Sequence, residues 1–97
     1  MYKPTKEKIA ELKAEHGDLF LITVEDKAAM FRAPKRKELS YASSVGAKDP
    51  MQFNETIMKS CFLEGDKELI NNDVYFLGTS QQIVNLIEVK ESSLEKF

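Results

Sequence analysis

Cysteine and histidine are nearly missing from this chain: Cys61 and His16 are the single examples in 97 residues. One thiol cannot close an intramolecular disulfide, and an unpaired cysteine fits a reducing cytoplasm. One thiol and one imidazole would leave a zinc site to be built mainly from carboxylates, so no metal centre is expected. Nucleophilic catalysis is no better served, because no second histidine exists to activate Cys61. Glycine is scarce as well. The four glycines show neither the GxGxxG nor the P-loop spacing, which removes the common phosphate cradles and with them the common nucleotide cofactors. Long apolar runs are also absent: no segment approaches the ~20 apolar residues that span a bilayer. The opening MYKPTKEKIAELKAEHG carries no apolar core of signal-peptide length. The expected location is the cytoplasm, and no membrane partner is expected.

What is present describes one globular domain, residues 1–97. Hydrophobic residues make up 42% and charged residues 31%. That is the balance of a chain that packs a core. Net charge is −2 and the sequence pI is near 5.4, so the whole molecule does not attract a polyanion. Thr5 or Pro4 can open a first helix, with Ile9 and Leu12 as a narrow apolar stripe and Gly17 as its stop. His16 then lies by the end of that helix, where a protonated imidazole suits the dipole better than it suits catalysis or metal binding.

The stretch DLFLITVEDKAAMFRAP reads as an antiparallel hairpin over residues 18–33. Leu19 to Val24 is apolar, β-branched and aromatic, Glu25-Asp26-Lys27 supplies a turn, and Ala28 to Arg32 returns. Leu19 and Leu21 point to one face while Phe20, Ile22 and Val24 point to the other. Both faces are therefore apolar, and a bare hairpin of that kind is not stable in water. Helices wrapping both sides is the favoured solution; pairing of one face or edge with another chain is the other.

FRAPKRKELS, Phe31 to Ser40, is the densest cluster of positive charge. Pro34 ends the pairing and suits a first helical turn. A helix projected from Lys35 puts Leu39, Tyr41, Ala42 and Val45 on one side and Arg36 and Lys37 on the other. The cations thus crowd a helix N-terminus, where each costs ~0.3–1 kcal/mol at an exposed site. The plainer reading, given precedence, pairs them with Glu25, Asp26 or acids of a neighbouring helix, or leaves them solvated. The sharper reading is an anion pocket of amides with Arg32, Lys35, Arg36 and Lys37.

The second half reads as helical, residues 35–97 in all. Asp49-Pro50 is a strong start signal. Met51, Phe53, Ile57, Met58, Cys61 and Phe62 then cover a wide apolar arc, closed by Gly65. Asp66 is expected to cap a short turn holding Leu69 and Ile70, Asn71-Asn72-Asp73 to break the run, and Val74 to Leu77 to form a short helix ended by Gly78. Thr79 with Gln82 resembles a capping box for a last helix. That helix would carry Ile83, Leu86, Ile87, Leu94 and Phe97 on one stripe interrupted by Lys90, with the turns from Glu91 onward frayed. The fold expected is α+β and mostly helical: an N-terminal helix, one antiparallel hairpin, then three to five helices packed on it. Paired acids such as Glu64-Asp66 and Glu25-Asp26 fall at turns and caps, so no enzyme is expected.

The order of these motifs resembles the small tail assembly chaperones of long-tailed bacteriophages. The resemblance rests on Phe31, Arg32, Pro34, Arg36 and Glu38 at the hairpin exit, on Asp49-Pro50, and on Cys61, Leu63, Gly65 and Asp66 in IMKSCFLEGD, and it spans about residues 18–90. It implies a non-enzymatic binder of the tape-measure protein or of tail-tube subunits, acting in the host-cell cytoplasm if phage-encoded, with no catalytic residues to transfer. A helical client would then lie along Ile83, Leu86, Ile87 and Leu94, or along the surplus apolar arc of the helix opened by Asp49, bordered by Arg32, Lys35, Arg36 and Lys37. Three alternatives stay open. They are a small regulatory or inhibitory binding module, a homo-oligomeric structural component assembled through the hairpin, and, weakest, a nucleic-acid binder using the Lys35 to Lys37 turn.

Overall fold

Thr5 opens the first helix by accepting the Lys8 amide at 3.1 Å, and Gly17, at φ 81°, closes it by returning its own amide to the Lys13 carbonyl. This is α1, Lys6–His16. The computed structural model describes residues 1–87 and 91–97. After α1 come β1 (Leu19–Val24), β2 (Lys27–Arg32), α2 (Arg36–Gly46), α3 (Pro50–Cys61), β3 (Phe62–Gly65), α4 (Glu68–Asn71) and α5 (Asp73–Ser80), then a 3-10 helix, Ile83–Leu86. The fold is α+β and mostly helical, with the expected N-terminal helix.

β1 and β2 pair antiparallel from Leu19 opposite Arg32 to Val24 opposite Lys27. The turn between them is only Glu25 and Asp26, and Glu25 takes φ 54°. Positive φ at the first turn position is what the twist of a two-residue hairpin requires, at some steric cost for a residue with a Cβ. Asp26 is held from the far side by the Tyr75 hydroxyl, which donates to its Oδ1 at 2.7 Å.

The sheet has a third strand where the sequence reading continues a helix. That reading carries α3 on to Gly65, but the helix stops at Cys61 and Phe62–Gly65 pairs antiparallel with β2, giving the order β1-β2-β3. Gly65 is therefore a sheet residue, with φ 129° and an ideal Cβ position only 2.5 Å from the Ala29 Cα. No side chain fits there. Asp66 follows and does not cap α4 with its carboxylate. Instead Oδ2 accepts the Ala28 amide at 2.9 Å, which holds it below the usual carboxylate range and ties β3 to the start of β2.

The helices α2 to α5 and the 3-10 helix pack on one sheet face. Ile22, Ala29 and Phe31 join Ala42, Ile57, Met58, Cys61, Leu69, Ile83 and Leu86 in a single core, with the Phe31 and Phe62 rings edge to face at 5.7 Å. Leu12, Ala28 and Met30 are buried outside that cluster. The register puts Ala28 and Met30 on the opposite face, which α1 contacts through β1. Both faces are covered within the chain, though unequally. The Tyr2 hydroxyl is buried beside Glu64 without reaching hydrogen-bond geometry; burial first, then that carboxylate, pushes it up to about 12.

The C-terminal part departs furthest from expectation. α5 runs through Gly78, which is pressed so close to Val24 that an added Cβ would sit 2.8 Å from its Cγ1. Thr79 is buried inside α5, donating from Oγ1 to the Tyr75 carbonyl at 2.8 Å, and so opens no helix. The expected long last helix is replaced by the 3-10 helix up to Leu86; residues 91–97 take no regular secondary structure. The expected interruption of the stripe at Lys90 lies outside the described residues.

Candidate functional site

The basic stretch at the exit of β2 divides into two parts with different roles. Arg32 is an internal staple. Its Nη1 donates to Glu38 Oε1 at 2.8 Å and to the Ala33 carbonyl at 3.1 Å; its Nη2 donates to Glu38 Oε2 at 2.6 Å and to the Ser60 carbonyl at 2.7 Å. One guanidinium therefore joins the end of β2, the first turn of α2 and the last turn of α3. Glu38 also accepts the Lys35 amide at 2.8 Å. Its charge thus sits where free helix amides favour an anion. Bonding to Arg32 is the main reason its carboxyl is held down to about 2. Cys61 lies beside this pair, fully buried, and burial pushes its thiol up to about 11. That is the state of a packed side chain and not of a nucleophile.

Lys35, Arg36 and Lys37 are the other part. All three are exposed, and among the described residues none makes an ion pair. The amide that would complete an anion pocket with them is already taken by Glu38. They form a charged rim rather than a cavity.

The proposed apolar stripe is not assembled. Ile83 and Leu86 are each 1% exposed and belong to the core, so neither is free to receive a partner. Ile87 is half-buried, and Leu94 is 95% exposed in the irregular C-terminal segment. Of the eight residues proposed from sequence, Arg32, Ile83 and Leu86 thus hold the fold, while Lys35, Arg36, Lys37 and Leu94 are open to solvent. Tyr41, expected on the packed side of α2, is exposed and borders a groove between α2 and α3 with Gln52, Thr56 and Lys59.

A further recess lies along β1. Leu19, Phe20, Leu21, Ile22 and Thr23 form one side; Gln82, Asn85 and Leu86, from the 3-10 helix and the residue before it, form the other. Its volume is about 510 Å3. β1 is an outer strand of the sheet, and Leu21 beside the recess is 52% exposed. A continuous run of apolar, β-branched and aromatic residues marks β1 as a strand with surplus apolar surface. The recess itself had no sequence signal, because it depends on the turn of chain after α5.

No family model, curated protein or solved structure matches this chain. Among the described residues, no group of histidine, cysteine, aspartate or glutamate side chains could hold a metal ion, and no helix is long and apolar enough to cross a membrane.

Proposed function

We propose that the chain is a non-enzymatic protein-binding module of the tail-assembly-chaperone kind, holding a tape-measure or tail-tube protein before the tube assembles. The observation that carries this reading is the β1 recess: an uncharged strand at the sheet edge, half-exposed Leu21, and an amide-lined opposite wall. A recess of mixed polar and apolar lining beside one half-exposed leucine is suited to reversible capture of another chain. Lys35, Arg36 and Lys37 follow directly from the β2 end that pairs with Leu19, which makes them a charged rim steering the client.

Co-expression of the tagged chain with the tail-tube and tape-measure proteins of its own genome tests the reading. A stable complex is expected, weakened by Leu21→Lys and, in a salt-dependent way, by Lys35→Glu with Lys37→Glu. Failure of both candidates to co-purify with a folded chain would sink the chaperone reading. A large homo-oligomer at micromolar concentration would favour the structural-component alternative instead.

A further inference from the structure

The two outer strands of the sheet are protected very differently. β3 is four residues long, carries Glu64, meets β2 through an irregular register at Met30 and Phe31, and runs beside the N-terminal segment through Tyr2. Short length, charge and a bulge are the usual devices that keep an edge from pairing. β1, LFLITV, has six residues, no charge, no proline and an unbroken register. Its two-residue turn makes Val24–Lys27 the closing hydrogen-bonded pair, so Ile22 and Phe20 also bond inward to β2. The amides and carbonyls of Leu19, Leu21 and Thr23 are left on the open side, next to the recess. Among the described residues no strand pairs with them.

We infer that β1 accepts an extended segment of another protein as a fourth, antiparallel strand, one that begins with a cationic residue followed by alternating β-branched or apolar residues. The inference rests on the protein-binding reading above but replaces the helix-in-groove mode expected from sequence. Main-chain hydrogen bonds to Leu19, Leu21 and Thr23 provide the pairing, and the recess between β1 and Gln82, Asn85 and Leu86 takes side chains. Charge selects the occupant. The C-terminal end of β1 runs into exposed Glu25 and then Asp26, whose Oδ1 already accepts from Tyr75, so the N-terminal end of an antiparallel strand meets an acidic turn led by Glu25. A second copy of β1 must pair its open-side residues with one another: centred on Leu21 it sets Asp18 opposite Val24, next to Glu25, and centred on Ile22 it sets Asp18 opposite Asp26, acid near acid at both ends either way. Self-pairing is thereby disfavoured, and a basic residue is favoured.

Two capped synthetic peptides, KVTVTVS and EVTVTVS, and hydrogen exchange read at single amides test this. In the free protein the Leu19, Leu21 and Thr23 amides should exchange fast while those of Phe20 and Ile22 are protected. The lysine peptide should protect the first three, bind about tenfold more tightly than the glutamate peptide, and lose that advantage in high salt. Leu21→Pro should abolish protection at little cost to the fold, since the amide it removes is not bonded to β2; Thr23→Pro, which removes another open-side amide, serves if that variant unfolds. Edge amides already protected in the free protein would mean the chain covers its own edge, and protection that grows with protein concentration would mean self-pairing; either overturns the proposal. A client from the co-expression test that binds without protecting these amides would overturn strand addition while leaving the protein-binding function standing. Peptide-induced protection without any such client would leave strand addition standing and overturn the tail-assembly-chaperone reading.

Discussion

Arg32 shows how one side chain decides what a basic stretch means. Four of its hydrogen bonds are internal, and both partners of the ion pair are more than three-quarters buried. Removing the guanidinium leaves Glu38 and the Ser60 carbonyl short of donors, so Arg32→Met should destabilise the fold by roughly 2–3 kcal/mol in urea unfolding. The double variant with Glu38→Gln should lose clearly less than the sum of the two single changes, because the second removes the charge that the first strands. The acid side follows from the same pair. Glu38 titrates near 4.5 unfolded but is held at about 2 by Arg32 when folded. Its contribution is complete above the unfolded value and is lost as pH falls through the folded one. The stability gap between wild type and the double variant should therefore shrink between about pH 5 and pH 2. A gap independent of pH over that window would show that the pair is solvated. Gly65 makes the companion case at a backbone position. Gly65→Ala combines positive φ with a 2.5 Å approach to Ala29. A loss of about 3 kcal/mol or more is expected from the same urea titration.

At the level of elements, the hairpin, the α2 entry and the Asp49 cap were legible because each is written in local chemistry. Pro34 and Pro50 fix the backbone, Thr5 and Asp49 accept the expected amides, and β1 is a short run of apolar, β-branched and aromatic residues. β3 was not legible. Nothing marks a boundary between Cys61 and Phe62, neither glycine nor proline, and Ile57, Met58, Cys61 and Phe62 keep helical spacing across the junction. What ends α3 there is pairing with β2, a distant stretch of the chain, together with the Arg32 bond to Ser60. Thr79 failed in the opposite way: its letters match a capping box, but burial and the bond to Tyr75 keep it mid-helix. That error extended a helix through Ile83 and Leu86 and turned two core residues into a docking stripe. The candidate site was correspondingly half visible, with its strand readable and its far wall not. Glu25 offers a direct test of the turn that defines the site. With φ 54° it carries the cost of a left-handed conformation. Glu25→Gly should stabilise the hairpin by about 0.5–1 kcal/mol, seen as a higher urea midpoint with an unchanged slope. A lower midpoint would mean that the Glu25 side chain makes an interaction worth more than the strain.

For the molecule as a whole, the question is whether the two sheet faces, one under four helices and one under α1, open together. Cys61 is a built-in reporter. It is fully buried at the point where α3 becomes β3, packed in the main core and adjacent to the Arg32 staple. Burial pushes its thiol up to about 11, so the closed state holds almost no reactive thiolate at neutral pH. Reaction with a disulfide reagent therefore requires separating α3 from the sheet, which removes Ile57 and Met58 from the core as well. If the domain is one cooperative unit, labelling in buffer should be slow, and its urea dependence should have the slope of the global transition followed by circular dichroism. Arg32→Met should then speed labelling by the same factor by which it raises the unfolded population. The edge strand imposes a contrasting behaviour, because the open-side amides of Leu19, Leu21 and Thr23 are bonded to no strand of the described fold and should exchange without unfolding. Filling that edge with a bound strand should slow Cys61 labelling through mass action alone. Labelling unaffected by urea at low concentration, yet fast, would instead place the opening locally at the α3–β3 junction and divide the domain into two units.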